Sequence, residues 1–117
     1  MMQRLILILG EHDKGLGVPF HPATISGGRL RRMLLEVGLD AMLGNAYRSD
    51  GHPNNLHAAC RGFTVIALGK PAKSLCEAQG IPHSYLPHPA CRSRSQWDVL
   101  RCGLASYTAN KEVSVER

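Results

Sequence analysis

The stretch that decides the fold is LILILGEHDKGLGVPF, residues 5–20. Its first five residues, 5–9, are branched and apolar without alternation, which is typical of a strand buried on both faces in a parallel sheet. The apolar run ends at Gly10, and the titratable sequence EHDK (11–14) follows on a glycine-rich loop. Open α/β proteins carry binding and catalytic groups on such loops, but an ordinary solvated connection has the same composition. The pattern alone leaves both interpretations open.

Length and charge limit the further possibilities. A chain of 117 residues is long enough for one domain with one hydrophobic core. We predict a single domain over residues 1–109 and a flexible tail over 110–117. The 14 basic and 9 acidic residues give a formal net charge of +5. This charge favours a polyanionic partner such as nucleic acid, although many solvated proteins are equally basic.

The cysteines argue against a metal centre. Four cysteines lie far apart, without a CxxC pair: Cys60, Cys76, Cys91 and Cys102. The six histidines are also scattered, so we predict that no metal, cluster or other cofactor is bound. No apolar stretch has the length of a signal-peptide core or a membrane span. We therefore expect a cytoplasmic protein with reduced thiols and no membrane partner.

A helix is predicted after the glycine-rich loop. Four apolar residues recur at i, i+3, i+4 and i+7 and form one stripe: Leu30, Met33, Leu34 and Val37. Ser26 is the predicted N-cap and Gly38 the predicted end of this helix. Arg29, Arg31 and Arg32 fall outside the stripe and are predicted to form a solvated face.

The rest of the chain continues the alternation of strands and helices. Strands are predicted at residues 4–9, 41–47, 63–68 and 83–87. Helices are predicted around residues 55–60, over 71–79, and from a capping box of Ser95 and Asp98 onward. The pattern predicts a three-layer α/β/α fold with a four-stranded parallel sheet, right-handed crossovers and the first strand in the interior.

A parallel sheet brings the loops after its strands to one edge. The loops after residues 9, 45, 68 and 88 should therefore be neighbours. Polar residues that are distant in sequence can meet at this edge: Glu11, His12, Asn45 and His88.

The order of short motifs resembles the uracil-DNA glycosylase superfamily over residues 5–101. The motifs are GExxxG after the first strand, PF, SGGRLRRMLLEVGLD, a strand that carries Asn45, VIALGKPA, and HPA after the last strand. The branch whose first motif reads G-E-A-P-G is the most similar. The resemblance implies a uracil-DNA-glycosylase-like fold and hydrolysis of the N-glycosidic bond of uracil or another deaminated base. The target base would be flipped out of a duplex or already single-stranded, because a stacked base cannot be reached.

The resemblance also implies which residues bind the base. Gly10 would belong to the substrate site, and Phe20 would stack on the base. Asn45 would read the uracil edge with its amide, and His88 would donate to the uracil oxygen that gains charge as the bond breaks. Fixed donors on the leaving base stabilise the transition state selectively.

Other residues are candidates for contacts with the sugar and the phosphates. Glu11 and His12 would lie on the water side of the sugar, and a substituting role for Asp13, one residue later, stays open. Apart from the resemblance, Arg92, Arg94 and Arg101 are candidates for contacts with DNA phosphates because they adjoin His88, and Ser26 is a further candidate. We expect the protein to act on DNA as a monomer.

Several departures from the family pattern keep other functions open. His12 occupies the position where several branches have a water-activating Asp or Asn, and the Pro-Gly end of the first motif is replaced. The N-terminal cysteines that hold an iron–sulfur cluster in most members of the nearest branch are missing. Arg92 and Arg94 occupy the loop where relatives often carry an apolar wedge. The alternatives are a catalytically inactive glycosylase-like module that binds nucleic acid or protein, and an unrelated nucleotide or phosphate binder that uses the loop from Gly10 to Gly17.

Overall fold

Strands and helices alternate along the chain. The computed structural model describes residues 5–12, 15 and 17–116. Its elements are β1 (Ile6–Gly10), α1 (Ile25–Val37), β2 (Met42–Asn45), α2 (Leu56–Ala59), β3 (Thr64–Leu68), α3 (Lys70–Ala78), β4 (Ser84–Leu86) and α4 (Arg94–Glu116). Helix α4 extends over most of residues 110–117, and the flexibility of this tail stays a prediction.

The four strands form one parallel sheet in the order β2-β1-β3-β4. The first strand is therefore in the interior. Its even-numbered residues, Ile6 and Ile8, join the core formed with α1 and α4. Its odd-numbered residues, Leu7 and Leu9, join the core formed with α2 and α3. None of these four residues is more than 6% exposed, which confirms the strand buried on both faces and the three-layer α/β/α fold.

The helices α1 and α4 bury apolar stripes, and that of α1 is the stripe predicted from the sequence. Leu30, Met33 and Leu34 of α1 are buried, and Leu100 and Leu104 of α4 are completely inaccessible. Complete burial of such a side chain contributes about 1.5–3 kcal/mol. The two helices therefore close the same face of the sheet.

The predicted N-cap of α1 is wrong. Thr24, and not Ser26, caps the helix, since its Oγ1 accepts a hydrogen bond from the Gly27 N–H at 3.0 Å. Thr24 has the extended backbone that an N-cap requires (φ −85°, ψ 156°), whereas Ser26 already lies in the first helical turn.

The predicted start of α4 is also wrong. Ser93, the last residue before the helix, accepts from the Gln96 N–H through its Oγ at 3.4 Å. Ser95 lies inside the helix, and Asp98 pairs instead with Arg101 at 3.9 Å. The cap therefore uses the last serine that is still outside the helical conformation.

The strand order determines where a site can form. Helix α1 connects β1 to β2 across one face of the sheet, and α3 connects β3 to β4 across the other. The connections from the carboxyl ends of β1 and β3 thus diverge, which opens a crevice where α/β proteins commonly bind ligands. No described helix has both the length and the apolar character that crossing a membrane requires.

Candidate functional site

A cavity of about 370 Å³ opens at the carboxyl edge of the sheet. Its volume is in the range of about 300–1,000 Å³ that is typical of small-molecule sites. All four strands supply lining residues, either at their ends or from the loops that follow: Gly10, Glu11, His12, Phe20, Asn45, Gly69, Lys70 and His88. The structure therefore brings together one aromatic ring, one amide, two imidazoles and a carboxylate that are distant in sequence.

Phe20 forms the apolar wall of this cavity. Its side chain is 8% exposed, and its backbone has φ +50°, a left-handed conformation that residues other than glycine rarely adopt. A Cβ atom at Gly10 would lie 2.5 Å from the Phe20 Cζ, so only glycine lets the ring approach β1 this closely. Arg31 holds the backbone from the other side, since its Nε donates to the Phe20 carbonyl at 2.8 Å.

His88 lies beside Phe20, with their ring centroids 6.0 Å apart and the ring planes tilted by 33°. The His88 Nδ1 accepts a hydrogen bond from the Ala90 N–H at 3.0 Å. In the neutral ring this contact assigns the proton to Nε2, which makes Nε2 the donor. Gly69 lies behind His88, because a Cβ there would be 3.3 Å from the His88 Cβ.

Asn45 contributes an amide from the end of β2. Its backbone pairs in register with Gly10, and its carbonyl oxygen accepts from the Asn54 Nδ2 at 2.9 Å. Among the described residues, we find no hydrogen bond to the Asn45 side-chain amide. The amide therefore offers one donor and one acceptor to a ligand edge.

Glu11 and His12 lie at the rim, as a loosely coupled pair. The Glu11 side chain is 52% exposed and that of His12 is 33% exposed, and 4.0 Å separate the His12 Nε2 from the Glu11 Oε2. Such an exposed pair contributes little to stability. The Glu11 carboxylate can orient a water molecule or face a cationic sugar. Asp13 lies outside the described residues.

The predicted phosphate-contacting residues occupy two places. Ser26 lines the cavity from the first turn of α1. Arg92 and Arg94 are exposed, in the loop after His88 and at the start of α4, and are not part of the cavity lining.

The prediction of a solvated arginine face is wrong for two of the three arginines. Arg29 Nη1 donates to the Pro89 carbonyl at 2.6 Å and to the Cys91 carbonyl at 3.4 Å. Its guanidinium also lies 4.1 Å from the centroid of the Trp97 ring. Arg31 holds the loop that precedes α1, and only Arg32 is exposed. The long side chains of Arg29 and Arg31 donate to carbonyl oxygens of loops that are distant in sequence.

His21 also lines the cavity, and neither His21 nor Lys70 is among the site residues predicted from the sequence. Lys70 begins α3, directly after the end of β3. For His21 a signal exists, because the tripeptide His-Pro-Ala occurs at both 21–23 and 88–90. The family resemblance assigns a role to the second copy only.

Other potential sites are less well equipped. A depression of about 550 Å³ near the amino ends of β1 and β2 is lined mainly by apolar residues. Within the described ranges, no group of three or more His, Cys, Asp or Glu residues could hold a metal ion. Convergent polar chemistry therefore favours the cavity at the carboxyl edge.

No protein-family model matches this chain, and no curated protein matches it.

Proposed function

We propose that this chain is a uracil-DNA-glycosylase-like protein that hydrolyses the N-glycosidic bond of uracil or another deaminated base in DNA. One observation carries the proposal: Phe20, Asn45 and His88 line the same cavity at the carboxyl edge of the sheet. The motif resemblance assigns the same three residues to base recognition.

The three side chains match the chemistry of a uracil ring. Phe20 supplies an apolar face for stacking. The Asn45 amide complements a carbonyl oxygen and a ring N–H on one edge of the base. The His88 Nε2–H donates to the other uracil carbonyl, whose oxygen gains negative charge as the bond to the sugar breaks.

The bond between the base and the sugar carbon breaks, and its electron pair leaves with the base. Water forms the new bond to the sugar carbon, and the proton that it loses is taken up by the anionic base through the solvent. Positive charge develops on the sugar during this step, and the Glu11 carboxylate at the rim is placed to stabilise it or to orient the water. Donors that are already fixed on the base stabilise this charge separation more than they stabilise the ground state. The exposed Arg92 and Arg94 would bind DNA phosphates beside the cavity.

The test is incubation with single- and double-stranded oligonucleotides that contain one uracil, followed by alkali cleavage. The informative variant is His88→Asn, since an Asn oxygen can still accept from the Ala90 N–H and keep the turn. Loss of the Nε2 donor should reduce the rate by about 10²–10³. Asn45→Asp should reduce the preference for uracil, because an acceptor replaces the amide donor.

His57→Asn is the matched control, since His57 is an exposed histidine on α2, away from the cavity lining. It should retain the wild-type rate. A His88→Asn variant that cleaves as fast as the wild type would contradict the proposed role of His88. Wild-type protein that neither binds nor cleaves uracil DNA would refute the proposal as a whole.

A catalytically inactive binding module is the second candidate. It is favoured by His12, which occupies the position where several branches of the family have a water-activating Asp or Asn. The exposed Glu11 carboxylate lies 4.0 Å from the His12 Nε2. This function predicts that uracil-containing DNA is bound through the same three residues and stays uncut.

A further inference from the structure

The cavity is flanked by two copies of one local structure. In the first, the His21 Nδ1 accepts from the Ala23 N–H at 3.0 Å. In the second, the His88 Nδ1 accepts from the Ala90 N–H at 3.0 Å. Each histidine is followed by proline and alanine, so sequence and hydrogen bond are the same in both turns. In the neutral state both rings therefore carry their proton on Nε2.

Both turns are also fixed in the same way. Arg31 donates to the carbonyl of Phe20, directly before His21, at 2.8 Å. Arg29 donates to the carbonyl of Pro89, directly after His88, at 2.6 Å. A single helix, α1, thus anchors both turns through arginines two positions apart.

The backbone of His21 has further restraints. Its carbonyl oxygen accepts from the Thr24 Oγ1 at 2.7 Å and from the Thr24 N–H at 3.0 Å. A Cβ atom at Gly27 would lie 2.1 Å from this oxygen, so the start of α1 packs directly against the turn. A donor that is held on a rigid element loses little freedom when it binds a ligand.

We infer that His21 is a second hydrogen-bond donor of this cavity and binds a phosphate oxygen of the nucleotide whose base lies against Phe20. This inference rests on the proposed function. Asn45 and His88 already account for the two edges of the base. His21 and Ser26 both line the cavity, from the loop before α1 and from its first turn, and Lys70 lines it from the start of α3. Imidazole, hydroxyl and ammonium donors around one cavity are suited to an anionic oxygen.

The experiment is an NMR titration of the full chain with four probes: uracil, deoxyuridine, deoxyuridine 5′-monophosphate and inorganic phosphate. The central variant is His21→Asn, which keeps an acceptor for the Ala23 N–H but lacks the Nε2 donor. It should bind uracil and deoxyuridine like the wild type and bind the monophosphate about tenfold more weakly, as loss of a charge-assisted hydrogen bond predicts. His21→Gln, whose amide reaches approximately as far as Nε2, should restore most of the affinity.

His88→Asn is the matched comparison, because it removes the same donor from the other turn. It should weaken uracil, deoxyuridine and the monophosphate alike. Wild-type affinity of His21→Asn for the monophosphate would overturn the inference, and so would an equal loss for uracil and the monophosphate. If uracil binds nowhere while inorganic phosphate binds the wild type more tightly than His21→Asn, the proposed function fails and the phosphate role of His21 stands.

Discussion

Replacement of Arg29 by methionine tests whether α1 holds the loop that carries His88. The lost contacts are the 2.6 Å hydrogen bond to the Pro89 carbonyl and the guanidinium stacked 4.1 Å from the Trp97 ring centroid. A hydrogen bond from a charged donor contributes about 1.5–3 kcal/mol, and a partly buried cation–π contact contributes about 0.5–2 kcal/mol. Methionine retains much of the apolar stem. We therefore expect the free energy of unfolding to fall by about 2–5 kcal/mol.

The assay is urea unfolding followed by fluorescence. Trp97 is the one tryptophan of the chain, and its fluorescence reports on this region because Arg29 lies against its ring. Its Nε1 also donates to the Cys91 carbonyl of the same loop at 2.6 Å. Arg32→Met is the control, since Arg32 is exposed on the same helix and its loss should change stability by less than about 0.5 kcal/mol. A double-mutant cycle of Arg29→Met with Trp97→Leu, followed by circular dichroism because Trp97→Leu has no tryptophan, should give a coupling energy of about 0.5–2 kcal/mol.

In Arg29→Met the loop that carries His88 should also shift relative to the cavity. Uracil binding, which depends on His88 in the proposed function, should weaken in Arg29→Met and stay unchanged in Arg32→Met. Equal stability of the two variants would refute the reasoning, because it would mean that other contacts hold the loop.

Three further predictions concern the cavity wall, the DNA contacts and a buried thiol. Gly10→Ala should lower the free energy of unfolding by about 1–3 kcal/mol, because its Cβ would lie 2.5 Å from the Phe20 Cζ; wild-type stability in urea would contradict this. The double variant Arg92→Ala/Arg94→Ala should bind DNA of every sequence more weakly. Its plot of log K against log salt concentration should be flatter, by the equivalent of about two phosphate contacts, and an unchanged slope would disprove that these arginines contact phosphates. Burial raises the pKa of the Cys76 thiol from 9.0 to about 11, so this thiol deprotonates at a lower pH in the unfolded chain than in the folded protein. The free energy of unfolding should therefore fall as the pH rises from 9.0 to about 11, and the fall should be smaller in Cys76→Ala.

The layers of the fold could be predicted because burial leaves a periodic pattern in the sequence. The unbroken apolar run of residues 5–9 indicates a strand that is covered on both faces, and Leu7 and Ile8 do face opposite cores. The spacing of Leu30, Met33 and Leu34 likewise indicates the buried face of α1. The placement of Asn45 and the loop of His88 at one edge then follows from a parallel sheet, whatever the family.

Contacts outside this periodicity could not be predicted. Thr24 and Ser26 can both cap a helix, and only the backbone conformation decides between them. A charged residue outside an apolar stripe can be solvated, as Arg32 is, or can reach a distant carbonyl, as Arg29 does over 60 positions. The His-Pro-Ala sequence is repeated in the chain, but no periodic pattern indicates that its first copy, with His21, lines the same cavity as His88.

The variant Gly27→Ala tests whether α1 anchors both His-Pro-Ala turns. Residues two positions apart on a helix point about 200° apart, which lets Arg29 and Arg31 reach loops on opposite sides of α1. A Cβ at Gly27 would lie 2.1 Å from the His21 carbonyl oxygen, a backbone atom that cannot rotate away. In Gly27→Ala the start of α1 must therefore shift, and both turns should shift with it.

This variant should weaken the binding of uracil and of the monophosphate together, whereas His21→Asn should affect the monophosphate alone. Gly28→Ala is the graded control, since its Cβ would lie 3.1 Å from the Pro22 carbonyl oxygen and requires only a small adjustment. The measurement is the same four-probe titration, with the amide spectrum of each variant as a check on folding. If Gly27→Ala lost affinity for only one of the two ligands, the turns would have to move independently, and α1 could not be their common anchor.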